Sequence, residues 1–272
     1  MSIPLQLEFA ALTDTGLLRP HNEDAIAISP DFGLVILADG MGGYNAGEVA
    51  SNIAITTVRQ VMETELRAIA AEPSVDALDH MSALLCHAVN EANTAILTAA
   101  LQEPDYAGMG TTLVTALFHQ QTITLAHVGD SRCYRQRDGQ LEQLTRDHSL
   151  LQDQIDAGLV SADEAWFSPN RNLITRAVGV EDNIEVEVHD YVVLPGDLYL
   201  LCSDGLTDML TAQHIEAILQ ESPEDLQLAA ASLLAIANEQ GGRDNISVIL
   251  VHVQDHEAQK EGLIGRLFGW IK

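Results

Sequence analysis

Leu34-Val35-Ile36-Leu37-Ala38-Asp39-Gly40-Met41-Gly42-Gly43 is the stretch from which the fold of this chain is read. An unbroken apolar run ends on an aspartate, and a glycine-rich turn follows at once. Runs of roughly four to eight apolar residues bounded by a turn fit a strand buried on both faces. Glycine supplies the positive φ or close backbone approach that such a turn needs, without a Cβ penalty. The Asp39 carboxylate is thereby expected at the rim of a sheet. The same design recurs at Leu198-Tyr199-Leu200-Leu201-Cys202-Ser203-Asp204-Gly205. Two doubly buried strands, each delivering an Asp-Gly pair to a rim, point to one shared acidic site.

A chain of 272 residues, 47% hydrophobic and 19% charged, has the composition of a soluble globular protein with a substantial core. Its 40 acidic residues against 13 basic ones leave a formal charge of −27. Most of these acids serve as solvated surface. The field they create repels nucleic acid and anionic membranes, so neither is an expected partner. An anionic substrate would need a local reversal of sign, which a metal cluster supplies. Cys86, Cys133 and Cys202 are isolated in sequence, which argues against a disulfide framework or a zinc ribbon. Each is expected as a small core residue. The start of the chain lacks a basic segment followed by an apolar run, so no secretory leader is expected. No stretch approaches the roughly 20 apolar residues needed to span a bilayer, and a cytoplasmic location is expected.

Residues 5–13 alternate loosely, and Ala25–Ile28 reads as a short strand joined by a hairpin turn at Asp31-Phe32-Gly33 to the Asp39 strand. Glu23 and Asp24 then start a strand whose antiparallel neighbour ends at Asp39, so the three acids gather at one edge. From Gly47 the period is helical, with Ile55, Val58, Met62, Leu66 and Ile69 on one face. Glu72-Pro73-Ser74 closes this helix. A second stripe, Leu78, Met81, Leu85, Ala88, Ala92 and Ile96, makes an antiparallel partner packed on a sheet.

Strands are expected at Thr112–His119, Thr122–Val128 and Arg132–Arg137, with Asp138-Gly139 as a hairpin turn. Residues 145–180 break this pattern with helical pieces near Leu150–Ala157 and Ala162–Trp166, and read as a surface flap. Strands resume at Ile184–Val193. Leu226, Ala230, Leu233 and Ala237 mark another helix, and Ile246–Val253 is a closing strand. From residue 255 the tail is polar and then apolar, and reads either as folding back on the body or as an amphipathic hook for a partner or membrane surface. The organisation is one domain, 1–254, with a tail at 255–272.

The acids at strand ends are Glu23, Asp24, Asp39, Asp130, Asp204, Asp208 and Asp244. A single Asp beside Gly is ordinarily a turn residue. Several converging on one edge repel each other and are held partly protonated unless cations join them. Oxygen ligands without His or Cys favour Mg²⁺ or Mn²⁺.

Six ordered segments carry a resemblance: Gly16-Leu17-Leu18-Arg19-Pro20-His21-Asn22-Glu23-Asp24, Ala38–Gly43, Gly108-Met109-Gly110-Thr111-Thr112, Gly129-Asp130-Ser131-Arg132, Ser203-Asp204-Gly205-Leu206 and Arg243-Asp244-Asn245. Over about residues 7–253 the chain resembles the metal-dependent serine/threonine protein phosphatases of type 2C, in their compact bacterial branch. The resemblance implies an α+β fold, a four-layer αββα sandwich of two antiparallel sheets flanked by pairs of helices. It implies that Asp39 bridges two ions about 4 Å apart, with Asp204 and Asp244 on one and the Gly40 carbonyl on the other. Glu23 and Asp24 support the pair, Asp130 and Asp208 match a third site, and Arg19 matches a phosphate clamp. A metal-activated water then attacks phosphorus opposite the leaving Ser or Thr oxygen. The implied partners are phosphorylated proteins, a cognate Ser/Thr kinase among them, and the default assembly is a monomer.

Two positions depart from the family pattern. Met41 stands where eukaryotic relatives have a histidine, and Tyr44 where many bacterial ones do, so neither His21 nor His148 is nominated as a general acid. Asp147-His148-Ser149 and Asn172–Arg176 match the flap, where substrate choice is tuned. Two other classes compete with the phosphatase. A non-catalytic phosphoprotein-binding module has no use for seven placed carboxylates, and the −27 charge disfavours a two-metal phosphodiesterase or nuclease.

Overall fold

The computed structural model describes residues 5–42, 46–71, 80–161, 168, 172–222 and 225–254. Two antiparallel sheets lie at its centre. The first runs β1 (Leu7–Asp14), β11 (Ile246–Val253), β10 (Leu198–Cys202), β7 (Arg132–Arg137) and β8 (Gln140–Gln143). The second runs β2 (Asp24–Ser29), β3 (Leu34–Met41), β5 (Leu113–His119), β6 (Thr122–Val128) and β9 (Glu187–Val192), with the short β4 (Gly110–Thr111) paired to the end of β3.

Alternation along the two apolar strands explains the layering, because successive side chains of a strand point to opposite faces. In β3, Leu34, Ile36 and Ala38 pack with residues of α1 (Ala46–Ala71) and α2 (Met81–Gln102), while Val35 and Leu37 face the other sheet. In β10, Leu198, Leu200 and Cys202 pack with α5 (Ala212–Glu221) and α6 (Leu226–Glu239), while Tyr199 and Leu201 meet β3 and β5 residues between the sheets. Each run is apolar throughout because both of its faces are covered. The result is the expected helix–sheet–sheet–helix sandwich. Fully burying the four large side chains of β3 contributes roughly 6–12 kcal/mol, which fixes the backbone on which Asp39 sits.

Most elements fall where the pattern put them, α3 (Leu150–Asp156) at the start of the flap among them, with instructive differences. The α2 stripe is buried as expected from Met81 to Ile96. In α1 the fully buried line is Ala50, Ala54, Val58 and Met62, and Ile55 is only half-buried. Small alanines let the helix approach the sheet closely, so the larger residue is displaced to the flank. Cys133 and Cys202 are core residues, whereas Cys86 is half-buried. Helix α5, capped by Thr211 Oγ1 accepting from the His214 N–H at 3.3 Å, and strand β8 are additional elements. Glu72–Ser74, Leu78, the helical piece at 162–166 and the tail at 255–272 lie outside the described residues. No helix among the described residues is long and apolar enough to cross a membrane.

The two Asp-Gly pairs need glycine for one physical reason. A Cβ on Gly40 would fall onto the carbonyl oxygen of Gly47, and one on Gly205 onto that of Asn245. Both contacts are with backbone, which cannot swing aside. Gly205→Ala is therefore expected to lower stability by about 3 kcal/mol or more, since overpacking against a rigid neighbour lies at the upper end of its usual cost. Urea denaturation measures this.

Candidate metal centre

β2 and β3 bring the first acids together. Asp24 and Asp39 are direct partners in the antiparallel register. The Asp39 backbone is then held from the Gly108–Thr112 segment. Its N–H donates to Thr112 Oγ1 at 3.2 Å, and its carbonyl accepts from the Thr112 N–H and from Thr111 Oγ1, both at 2.8 Å. Thr112 Oγ1 also lies 2.7 Å from Ser131 Oγ, beside Asp130. One threonine thus joins the Asp39 strand to the Asp130 turn.

The first sheet supplies the other half. Asp204 opens the one-turn α4 (Asp204–Thr207), and the Asp208 N–H donates to its carbonyl at 2.7 Å. Asn245 is the principal tie between sheet and loop. Its Oδ1 accepts from the Glu23 N–H at 2.8 Å, and its Nδ2 donates to the carbonyls of Thr15 and His21, both at 2.9 Å. Asp244, its neighbour, accepts from Arg19 Nη2 at 2.6 Å.

These pieces enclose a cavity of about 250 Å³ walled by Arg19, Glu23, Asp39, Gly40, Asp130, Asp204 and Asp244. Two of the expected acids stand off its wall. Asp24 is buried behind it, with Oδ2 accepting from Ser203 Oγ at 2.8 Å and Oδ1 left without a partner. Asp208 accepts from Asn172 Nδ2 at 3.1 Å through Oδ2. Arg19, on the wall, is in an ion pair with Asp244, which lines the same cavity. Thr112, Asn172 and Ile174 also line the wall and were not anticipated there. The doubled threonine after Gly-Met-Gly was the signal for the first. The other two come from the flap, whose position over the site depends on tertiary packing. Met41 is on the wall, Tyr44 lies outside the described residues, and neither His21 nor His148 reaches the cavity.

The electrostatics are those of crowded acids with too little counter-charge, Arg19 and Arg132 being the nearby cations. Burial, then the charges of Asp24, Asp204 and Asp130, pushes the Asp39 carboxyl well above the usual range. Burial followed by Asp130 and Asp208 does the same to Asp204. Burial raises Asp24 to about 6, and burial with Asp147 raises Asp130 to about 7. Among the described residues of the wall, the candidate ligand atoms are oxygens, with neither His nor Cys among them. This set suits hard divalent cations, and the surplus negative charge is what such cations neutralise.

A second cluster, His127, His148 and Glu187, offers three ligand atoms within 4.8 Å of one another. Its hydrogen bonds oppose metal binding. His148 Nδ1 accepts from the Gly129 N–H at 3.2 Å, so its proton is on Nε2, which donates to Glu187 Oε2 at 3.1 Å. The His148 backbone N–H donates to the Gly129 carbonyl and its carbonyl accepts from the Thr175 N–H. His148 acts as a clamp between the Asp130 turn and the flap.

An acidic oxygen-lined cavity at the common rim of a four-layer αββα sandwich defines the class as a metallohydrolase-like centre. The family model for Protein phosphatase 2C matches residues 20–237. Across 255 residues, the chain is 39% identical to the serine/threonine protein phosphatase PstP of Mycobacterium tuberculosis, covering 94% of this chain and 46% of PstP. It thus spans about half the length of that curated relative. To the serine/threonine phosphatase stp of Listeria monocytogenes it is 38% identical, covering 88% of this chain and 93% of stp. The crystal structure of the PstP catalytic domain in complex with two manganese ions superposes with a TM-score of 0.81 at 37% identity, covering 93% of this chain and all of that one. The chain belongs to the protein phosphatase 2C family of metal-dependent serine/threonine protein phosphatases.

Proposed function

We propose that the protein hydrolyses phosphoserine and phosphothreonine in proteins, using Mn²⁺ or Mg²⁺, and that it counters bacterial Ser/Thr kinases. The observation that carries this is the convergence of Asp39, Asp130, Asp204 and Asp244 on one small cavity with Arg19 at its edge. Phosphatase relatives of high coverage, and a manganese-loaded one of the same fold, support it.

In this reading Asp39, Asp204, Asp244 and the Gly40 carbonyl would hold the core ions. Glu23 and Asp24 would support them, and Asp130 with Asp208 would hold a further one. Bound divalent ions supply the Lewis acidity that activates water and offsets phosphate charge. The chain's own contribution is order. Thr111 and Thr112 fix the Asp39 carbonyl and N–H, Asn245 fixes the Glu23 backbone, and Asp244 holds Arg19. On substrate binding the Arg19 guanidinium exchanges Asp244 for a phosphoryl oxygen, a charge-assisted bond of the same kind. Residues 1–254 form the catalytic domain, the 255–272 tail is an accessory segment, and the molecule works as a cytoplasmic monomer on phosphoproteins, a cognate kinase among them.

The test is hydrolysis of matched phosphoserine, phosphothreonine and phosphotyrosine peptides and of a phosphodiester. The expected result is turnover of the first two, abolished by EDTA and restored by Mn²⁺ or Mg²⁺. Turnover that survives EDTA, or a preference for the diester, would contradict the proposal.

A further inference from the structure

A second hollow, of about 650 Å³, adjoins the catalytic cavity and shares Met41 and Ile174 with it. Its floor is built from three chain segments. Met41 pairs with Gly110 across β3 and β4, and Thr111 bridges to Val178. A Cβ on Gly110 would lie 2.8 Å from Val180 Cγ2 and 3.1 Å from Met41 Cε. The Met41 and Val180 side chains therefore close over the same glycine, and an apolar path leads from the residue after Asp39-Gly40 outward to Val180. Ile184 continues it.

This floor is rigidly held. Asn93 of α2 is buried, with Oδ1 accepting from the Gly179 N–H at 2.6 Å and Nδ2 donating to the Glu181 carbonyl at 2.9 Å. Gly179 sits against the Ile96 side chain with no room for a Cβ. The turn is thus fastened to the helix, yet it leaves Val180 54% exposed. Val180 packs against Gly110 on one side and presents the rest of its apolar surface to the groove. The walls carry Arg176, Glu181 and Glu185, and Arg176 is in an ion pair with Glu185 at 3.0 Å. Glu181 accordingly sets the net sign of the groove, which is negative.

We infer that this groove is a substrate subsite, taking the peptide segment next to the phosphorylated residue, with an apolar side chain over Met41, Val180 and Ile184 and a basic one facing Glu181. The inference rests on the phosphatase reading and deepens it. Continuity with the catalytic cavity fixes the occupant as the same chain that delivers the phosphate, and the negative wall fixes the sign of its charge.

The experiment compares three substrates: para-nitrophenyl phosphate, which has no flanking residues, a phosphothreonine peptide flanked by Leu and Arg, and one flanked by Ser and Glu. The wild type is expected to favour the Leu/Arg peptide by roughly tenfold in kcat/KM, the discrimination a small apolar pocket affords. Val180→Asp is expected to remove most of that preference and leave para-nitrophenyl phosphate hydrolysis unchanged. Glu181→Lys is expected to shift preference toward the acidic peptide by roughly two- to fivefold, the worth of an exposed charge pair. Equal wild-type rates on both peptides, or losses in Val180→Asp that are as large on para-nitrophenyl phosphate, would overturn the subsite while leaving the phosphatase intact. A wild type inactive on all three substrates would overturn both.

Discussion

Asp39→Asn is expected to lower kcat/KM on a phosphothreonine peptide by at least about 1,000-fold and, at the same time, to raise the melting temperature of the metal-free protein. The two effects share a cause. Asp39 stands at the end of β3, opposite Asp24 and facing the cavity, where its carboxyl is pushed well above the usual range by burial and by neighbouring acids. An amide of the same shape removes a charge that is unfavourable without a cation, so the empty fold gains stability. The same amide lacks the charge needed to hold cations, and losing one preorganised electrostatic contact already costs roughly 100- to 1,000-fold. Steady-state kinetics with Mn²⁺ and thermal melts in EDTA measure the pair. Lost activity with a lowered melting temperature would indicate simple misfolding.

Stability of the metal-free protein is expected to fall as pH rises from 5 to 8. Asp24 is raised from 3.8 to about 6 and Asp130 from 3.8 to about 7, both chiefly by burial. A carboxyl whose folded pKa lies above its unfolded value binds more protons in the folded state between those two values. Its stabilising protonation is complete below about pH 4 and is lost as pH rises through 6 to 7. For Asp24 alone the full move, from below pH 4 to above pH 7, corresponds to about 3 kcal/mol. Roughly half of it falls between pH 5 and 8, or about 5 °C in melting temperature for a domain of this size. Saturating Mn²⁺ is expected to flatten or reverse the slope, because the cation replaces the proton. Melting temperatures in EDTA that do not change across this range would rule out crowded buried acids as the basis of the site.

The parts of this molecule that were legible in advance are those written in local pattern. The apolar runs of β3 and β10 imply strands covered on both faces before any contact is known, the four-layer arrangement being what the resemblance to type 2C phosphatases implies. The α2 stripe from Met81 to Ile96 lies on the sheet as its spacing requires. Strand β8 was hidden because Gln140-Leu141-Glu142-Gln143 is a polar edge with a single apolar residue. Ile215, Ile218 and Leu219 of helix α5 follow a helical spacing and Thr211 caps it, but over ten residues three apolar positions make a short signal. The acids of the site could be gathered from strand ends, but their depth could not. Whether a carboxylate faces the cavity, as Asp39 does, or lies behind it, as Asp24 does, depends on side-chain direction across two sheets. The pairing of Arg19 with Asp244 joins residues 225 positions apart and left no local trace.

Anomalous diffraction from crystals grown with Mn²⁺ tests the central claim most directly. Two or more manganese peaks are predicted inside the cavity bounded by Asp39, Asp204 and Asp244, with an Asp39 carboxylate beside two of them. Manganese seated at His127, His148 and Glu187 with none among the carboxylates, or a single peak that Asp39 does not touch, would contradict the account.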